Sequence, residues 1–239
     1  MAGDAALEYL TAEARARVEI DRMLVASGWA VQSARSVNLR ASHGVAVREF
    51  VLQAPHGRVD YLLFVDGQAV GVIEAKKVGE TLKGVEWQSA KYLHGLTDEI
   101  PAALEGALPF AYESTGVETQ FTNTLDPDAK SRRVFSFHRP ETLAGWVAET
   151  HRHPLAPTLR HRVRALPTLD ERGLWPAQSL AIRNLELSLA ADRPRALIQM
   201  ATGSGKTFTA ANIAYRLIKH GDARRISSWS IAPTSAARR

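Results

Sequence analysis

A chain of 239 residues has room for one full domain and part of a second, and it contains no cysteine, which excludes disulfide bonds and thiolate metal sites and favours a reducing compartment. Lysine and arginine outnumber aspartate and glutamate by 30 to 25, and the net charge of +5 suits a polyanionic partner such as DNA without proving one. No segment approaches the ~20 apolar residues of a membrane span and no signal-type apolar core opens the chain, so we predict a cytoplasmic protein with no membrane partner.

The first elements predicted along the chain are a helix and a strand. Thr11 is a candidate N-cap and Ser27-Gly28 a candidate stop, so a single amphipathic helix is expected between them. The apolar stripe of this helix consists of Ala16, Ile20, Met23 and Leu24. The branched residues of the segment 45–52 then predict a strand, which the sequence Pro-His-Gly at 55–57 ends.

A predicted hairpin at 59–76, VDYLLFVDGQAVGVIEAK, carries the candidate site. Its second apolar run is continuous, as expected for a central strand that is covered on both faces. Glu74 and Lys76 lie two residues apart at the end of that run and therefore share a face. A two-residue turn would pair Asp60 with Ile73, whereas a three-residue loop or a bulge would pair Asp60 with Glu74.

Two carboxylates on one face suit a hard divalent cation that keeps several of its waters. Such a cation can activate water and stabilise charge on a phosphate, while Lys76 can orient the attacking water or help to deprotonate it. By spacing alone, an acid followed by an acid-x-lysine sequence is also typical of a hairpin with solvated charges at its end. The wider sequence context decides between these two interpretations.

Four segments carry a resemblance to a known family, in that family's order and spacing: VDYLLFVDGQAVGVIEAKKVGETLKGVEWQSAKY (59–92), PFAYESTGVETQF (109–121), VFSFHRPETLAGW (134–146) and LIQMATGSGKTFTA (197–210). They resemble the amino-terminal part of the restriction (R) subunit of type I restriction enzymes, which belongs to the PD-(D/E)XK nuclease superfamily. The resemblance implies an α/β nuclease core, with a mixed central sheet flanked by helices. It also implies Mg²⁺ held by Asp60 and Glu74, with Lys76 as the catalytic lysine.

The resemblance implies further residues near this site. A glutamate in the family's first helix approaches the metal, and Glu13 is the candidate here; an ordinary acid in the first helical turn is the alternative. The family also carries a glutamine-x-x-x-tyrosine pair after the lysine strand, matched here by Gln88 and Tyr92, where it is thought to help orient DNA or the metal site. These two residues share a face of a predicted helix, and their alternative is a surface glutamine beside a half-buried tyrosine.

Proline-punctuated, basic sequence at 151–175 predicts a linker between a nuclease domain at 1–150 and a second segment at 176–239. A basic connector would favour a DNA backbone passing between domains, and a solvated linker helix is the alternative.

The second segment contains the motif ATGSGKT at 201–207, between a predicted strand, RALIQM at 195–200, and an apolar helix. In such a loop backbone amides cradle phosphates, a lysine neutralises charge and a threonine holds magnesium. The strict pattern has glycine where Met200 stands, but the form found here is similar to motif I of superfamily 2 helicases. The predicted ATP-binding residues are Thr202, Gly203, Ser204, Gly205, Lys206 and Thr207, with Gln178 where such motors carry an adenine-reading glutamine.

The end of the sequence predicts an incomplete motor. No aspartate or glutamate follows Asp222, so the acidic motif that holds magnesium in RecA-like motors is missing, and we expect this chain alone not to hydrolyse ATP at a useful rate. The serine-rich tail at 226–239 stands where the family continues as an apolar strand, which suggests an aberrant tail produced by a frameshift.

Together these features predict a Mg²⁺-dependent endonuclease module of a type I restriction-modification system, originally coupled to ATP-driven DNA translocation. Its expected partners are double-stranded DNA and the methylation and specificity subunits. The alternative is a truncated, catalytically inactive remnant that only binds DNA or nucleotide, or docks to those subunits.

Overall fold

The computed structural model describes residues 2–54, 56–82, 96, 100–105, 108–193 and 195–228, with side chains from residue 14 onward. The chain divides into two compact units, Met1–Thr158 and Leu159–Arg239, which we call the first and the second unit. This division falls inside the segment 151–175 that the sequence assigns to a linker.

A mixed sheet of seven strands forms the centre of the first unit. The elements are α1 (Ala2–Ala26), β1 (Ala30–Ser33), a 3-10 turn (Ala34–Ser36), β2 (Gly44–Val51), β3 (Arg58–Val65), β4 (Gln68–Ala75), β5 (Phe110–Ser114), β6 (Thr119–Asn123), β7 (Arg132–Val134) and α2 (Pro140–Arg152). The strands lie in the order β1 to β7, with parallel pairing of β1 with β2 and of β4 with β5, and antiparallel pairing elsewhere. The predicted α/β class with a mixed central sheet is confirmed.

Helix α1 is longer than predicted. It begins at Ala2, so the prediction that Thr11 caps its amino terminus is wrong. The segment 2–11 is rich in alanine and leucine and contains no proline, and these residues favour continuation of a helix. The predicted stop is confirmed: Gly28 has a φ of 91°, and the N–H groups of Gly28 and Trp29 donate to carbonyls of the last helical turn in a Schellman cap.

Strands β3 and β4 are buried on both faces, as their continuous apolar runs predict. Leu63 and Ile73 belong to an apolar cluster on one face of the sheet, and Leu62 and Val72 belong to a second cluster on the other face. Helix α1 contributes Ile20 to the first cluster. The polar residues at the start of β3 and at the end of β4 therefore lie at the border of a dry core.

A buried hydrogen-bond network joins β5 to the segment before α2. The Tyr112 hydroxyl lies 2.7 Å from Nδ1 of His138, and the Trp29 indole donates to the His138 carbonyl at 2.9 Å. Burial raises the pKa of Tyr112, so its hydroxyl stays protonated and can donate to Nδ1. Burial, with a contribution from the positive charge of Arg132, lowers the pKa of His138 to about 4, and its imidazole is neutral at pH 7.

We expect His138 to make the first unit less stable in acid. The folded-state pKa of about 4 lies below the ordinary histidine pKa of 6.5, so the unfolded state binds more protons between these values. This contribution is complete above pH 6.5 and is lost as the pH falls towards 4. Allowing for partial exposure, the loss is on the order of 2 kcal/mol.

Urea unfolding at pH 7 and at pH 4.5 measures this effect, with His138→Leu expected to show a smaller drop in unfolding free energy than the wild type. His151→Asn, which changes an exposed histidine at the end of α2, serves as the control and should keep the wild-type drop. Equal drops for His138→Leu and the wild type would contradict the assignment.

The second unit contains three helices, α3 (Leu159–Arg164), α4 (Pro176–Ala190) and α5 (Lys206–Gly221), in its described residues. Arg216 of α5 is buried and forms a two-pronged ion pair with Glu186 of α4, at 2.6 and 3.1 Å, which joins these helices. No helix in the described part of the chain has the length and apolar composition of a transmembrane span.

The strand predicted at 195–200 is not present. The segment is irregular and mostly exposed, with Leu197 92% exposed. A strand requires a hydrogen-bonded neighbour, and the described residues of the second unit contain no strand that could pair with it. Apolar β-favouring residues alone therefore do not produce a strand here.

Candidate functional site

A bulge in β4 sets the register of the two strands that carry the candidate metal ligands. The hairpin turn has two residues, but the pairing then shifts by one residue at Val70, which is left without a partner in β3. Ile73 pairs with Tyr61, so Asp60 lies opposite Glu74. Of the registers left open by the sequence, the structure contains the bulged one.

Asp60 is held by two hydrogen bonds at the start of β3. Its Oδ2 accepts from the backbone N–H of Ala75 at 2.8 Å, and its Oδ1 accepts from Nη2 of Arg17 in α1 at 2.8 Å. Burial raises the pKa of Asp60, and the nearby Glu74 carboxylate adds to this, although the two hydrogen bonds oppose the shift. The carboxylate is thus fixed in position in a partly dry environment.

Glu74 and Lys76 lie side by side at the end of β4. Oε1 of Glu74 accepts a hydrogen bond from Nζ of Lys76 at 3.1 Å. Burial alone would lower the pKa of Lys76, but the hydrogen bond and charge of Glu74, together with the charges of Glu113 and Glu80, raise it above its ordinary value. Lys76 is therefore a cation at neutral pH.

A third carboxylate, which the sequence analysis did not identify, belongs to the same group. Glu113 pairs with Glu74 across the parallel strands β4 and β5, so both side chains point to the same face. Burial raises the pKa of Glu113, the charge of Lys76 opposes that rise and Glu74 adds to it. The available signal was an acid in a predicted strand. That signal assigns Glu113 to the site only once β5 is known to pair with β4.

The structure describes little of the three other predicted nuclease residues, Glu13, Gln88 and Tyr92. Position 13 lies in α1, but the side chain of Glu13 is outside the described residues. Arg17, one helical turn further along, reaches Asp60, so α1 does approach the site. Gln88 and Tyr92 lie outside the described residues.

The predicted phosphate loop lies between an irregular segment and α5. Gly203 and Gly205 have φ values of 82° and 80°, a conformation that other residues adopt only with strain, and Gly205 precedes the first turn of α5. Lys206 donates from Nζ to the carbonyls of Ala201 and Met200, at 2.9 and 3.2 Å. The lysine thus closes back over its own loop.

The other predicted residues of this second site surround the same loop. The Ser204 hydroxyl donates to the Ala201 carbonyl at 2.7 Å, while Thr202 and Thr207 are exposed. Gln178 is buried, and its Nε2 donates to the Ser204 carbonyl at 3.0 Å, while its Oε1 accepts from the backbone N–H of Trp175. The carboxamide of Gln178 therefore connects the start of α4 to the loop.

Two family models match the chain, one over each region that holds a candidate site. The model described as the second domain of the type I restriction enzyme EcoKI endonuclease subunit matches residues 25–123, and that described as the res subunit of type III restriction enzymes matches residues 172–228. The EcoKI endonuclease subunit of Escherichia coli (strain K12), a type I restriction enzyme subunit, is 26% identical over 267 residues, covering 90% of this chain. Each of the two regions that hold a candidate site is therefore similar to a restriction enzyme subunit, and most of the chain is similar to the endonuclease subunit of a type I restriction enzyme.

The chain spans 22% of the length of that curated relative. A solved fragment of a putative HsdR subunit of a type I restriction enzyme, from Vibrio vulnificus YJ016, is 22% identical with a TM-score of 0.42, covering 86% of this chain and 38% of that one. The two family models thus cover the two candidate sites, one in each unit.

Proposed function

We propose that the first unit is a Mg²⁺-dependent nuclease module that hydrolyses DNA phosphodiester bonds as part of a type I restriction system. The observation that supports this most directly is the bulge at Val70. Without it Asp60 would lie opposite Ile73, and the acid pair required by the nuclease motif would be divided between two faces.

The donor set fits Mg²⁺, because carboxylate oxygens are ligands that this ion prefers. Asp60 and Glu74 would hold the cation, which when bound supplies an activated water and stabilises charge on the phosphate. Arg17 fixes the Asp60 carboxylate through its 2.8 Å hydrogen bond. Glu74 holds Lys76 in its charged form, so the ammonium group is suited to orient the attacking water and stabilise negative charge rather than to remove a proton.

Double-stranded DNA and the methylation and specificity subunits are the partners that we propose from the family. Glu13, Gln88 and Tyr92 remain proposed contributors to the metal site or to DNA orientation. The net charge of +5 agrees with a polyanionic substrate. Coupling to ATP-driven translocation is proposed as a property of the R-subunit system.

The experiment that tests the nuclease proposal is nicking of supercoiled plasmid in Mg²⁺ and in EDTA, for the wild type and Lys76→Ala. Nicking that requires Mg²⁺ and is lost in the variant supports the proposal. Equal, metal-independent background in both proteins would favour the alternative of an inactive, DNA-binding remnant.

We also propose that the second unit binds ATP, because the glycine-rich loop at 201–207 leads directly into α5, with Gly203 and Gly205 in the left-handed conformation. Gln178 is placed against this loop and is our proposed contact to adenine, and Thr207 is our proposed magnesium ligand.

We expect Lys206→Ala to weaken binding of a fluorescent ATP analogue by about 10- to 100-fold, the range for loss of one hydrogen bond to a charged group. Titration of the analogue at fixed Mg²⁺ measures this. Lys219→Ala, an exposed lysine on the same helix whose Nζ bonds the Tyr215 hydroxyl, is the matched control and should bind like the wild type. Unchanged affinity in Lys206→Ala would refute the proposed phosphate contact.

A further inference from the structure

Three carboxylates, rather than two, lie on neighbouring strands at one end of the sheet. Neighbouring strands of a sheet lie about 4.8 Å apart, and opposite residues of a parallel pair point the same way. Since Glu113 is the direct partner of Glu74, and Asp60 lies level with Glu74 on the other side, these acids follow one another across β3, β4 and β5. Arg17 and Lys76 are the cations in hydrogen-bond contact with this row.

Glu113 is the most deeply buried of these acids and the least satisfied. It is 5% exposed, and among the residues that the structure describes its Oε2 has no hydrogen-bond partner. Lys76, whose charge acts on it, already donates to Glu74. Leaving a buried carboxylate oxygen without a partner destabilises a protein, and such groups concentrate where a ligand will satisfy them.

A solvent-filled cleft lies on the β6 side of Glu113. Gln120 pairs with Glu113 across β5 and β6 and lines a cleft of about 530 Å³. The rest of that lining consists of residues 78–82 and of Thr115, Val117 and Glu118. Glu113 is not among the lining residues, so the cleft lies beside the row of acids, on the β6 side.

We propose that Glu113 supplies a third carboxylate ligand to the divalent cation bound at Asp60 and Glu74. The inference rests on the proposed nuclease function and extends it, because the resemblance implies Asp60, Glu74 and Glu13 near the metal and no acid of β5. A third carboxylate would add negative charge to the site and replace one of the waters of the cation, and both effects would strengthen cation binding. The bound cation in turn satisfies the buried Oε2.

Calorimetric titration with Mn²⁺ and thermal melting test this proposal on the full chain. Glu113→Gln should bind Mn²⁺ about 10- to 100-fold more weakly than the wild type. In metal-free buffer the same variant should melt at a higher temperature than the wild type, because it removes a carboxylate charge that is costly to bury. Glu113→Asp, which keeps the carboxylate, should show intermediate affinity and provides a second variant if Glu113→Gln folds poorly.

Two further variants separate failure of this inference from failure of the nuclease proposal. Glu118→Gln changes a half-exposed acid of the same cleft, paired with Arg133 at 3.3 Å, and should bind Mn²⁺ like the wild type. Asp60→Asn should lose binding. If Asp60→Asn loses binding while Glu113→Gln and Glu113→Asp keep wild-type affinity, Glu113 is not a ligand and the two-acid site stands. If Asp60→Asn binds like the wild type, the cation site is elsewhere and both proposals fall.

Discussion

Lys76→Ala is expected to lower the rate of Mg²⁺-dependent nicking of supercoiled DNA by about 10²- to 10⁴-fold, the range for loss of a positioned charged group that acts in the transition state. The expectation follows from the position of Lys76 beside Glu74. Asp60 and Glu113 lie on the two neighbouring strands at the same end of the sheet. Initial nicking rates at saturating Mg²⁺, measured by gel electrophoresis, give the ratio directly.

The raised pKa of Lys76 indicates that the group removed in Lys76→Ala is a positively charged ammonium group. Glu74 and Glu113 keep the ammonium group charged, so its loss removes a positive charge next to the phosphate and leaves Mn²⁺ affinity the same or higher. A variant that no longer nicks but still binds the cation would therefore show a role in the reaction rather than in assembling the site. A parallel loss of cation binding would instead show that Lys76 only supports the fold of the site.

Lys77→Ala is the matched control for that experiment. Lys77 is the next residue of the chain and pairs with Glu80 at 3.4 Å, so removing it changes the net charge by the same amount. It should nick at close to the wild-type rate. Equal rates for Lys76→Ala and the wild type would end the assignment of Lys76, and equal losses in both lysine variants would point to a general effect of charge on DNA binding.

The sequence predicted the hairpin but not its register, because local patterns do not distinguish the two possibilities. Val70 is fully buried, and β4 has apolar residues on both of its faces, so a slip by one residue exposes no polar group in the middle of the strand. Only the acids at the strand end mark the correct pairing. Gly28, in contrast, ends helix α1 through its own positive φ, which depends on no distant partner. The helix stop predicted at Ser27-Gly28 is therefore confirmed.

Residues that acquire a role through distant neighbours were missed for a different reason. Glu113 becomes part of the acid group because β5 lies parallel to β4, and no pattern within the segment 109–121 states which strand it will pair with. The prediction of a strand at 195–200 is wrong for the opposite reason. Its local sequence favours a strand, but no described segment pairs with it. In both cases the missing information is the identity of a hydrogen-bonded partner far along the chain.

Gly71→Ala is expected to destabilise the first unit by more than about 4 kcal/mol, a loss reserved for severe steric or packing defects. A Cβ atom at position 71 would lie 2.0 Å from the carbonyl oxygen of Phe110 and 2.8 Å from its Cβ. Phe110 is fully buried and stacks with Phe121 and Trp146, with ring centroids 6.3 and 5.6 Å apart, so β5 cannot move away without disturbing this cluster. The added methyl group must instead break the pairing of β4 with β5.

Gly145→Ala supplies the matched control, because a Cβ atom there has no neighbour within 4 Å and position 145 lies inside helix α2. Alanine should be neutral or stabilise that helix by up to about 1 kcal/mol. Thermal melting separates the two, since a loss of 4 kcal/mol corresponds to a drop of roughly 8–16 °C for a chain of this size.

The Gly71→Ala substitution also tests whether the acid group depends on the β4–β5 register. The pairing that it breaks is the one that places Glu113 beside Glu74, so any folded fraction of the variant should bind Mn²⁺ more weakly than the wild type. A melting temperature within two degrees of the wild type, with unchanged affinity, would show that these strands do not pair as closely as the structure describes. Glycine at position 71 is thus required by the close approach of two backbones, and through that approach by the site at the end of the same strands.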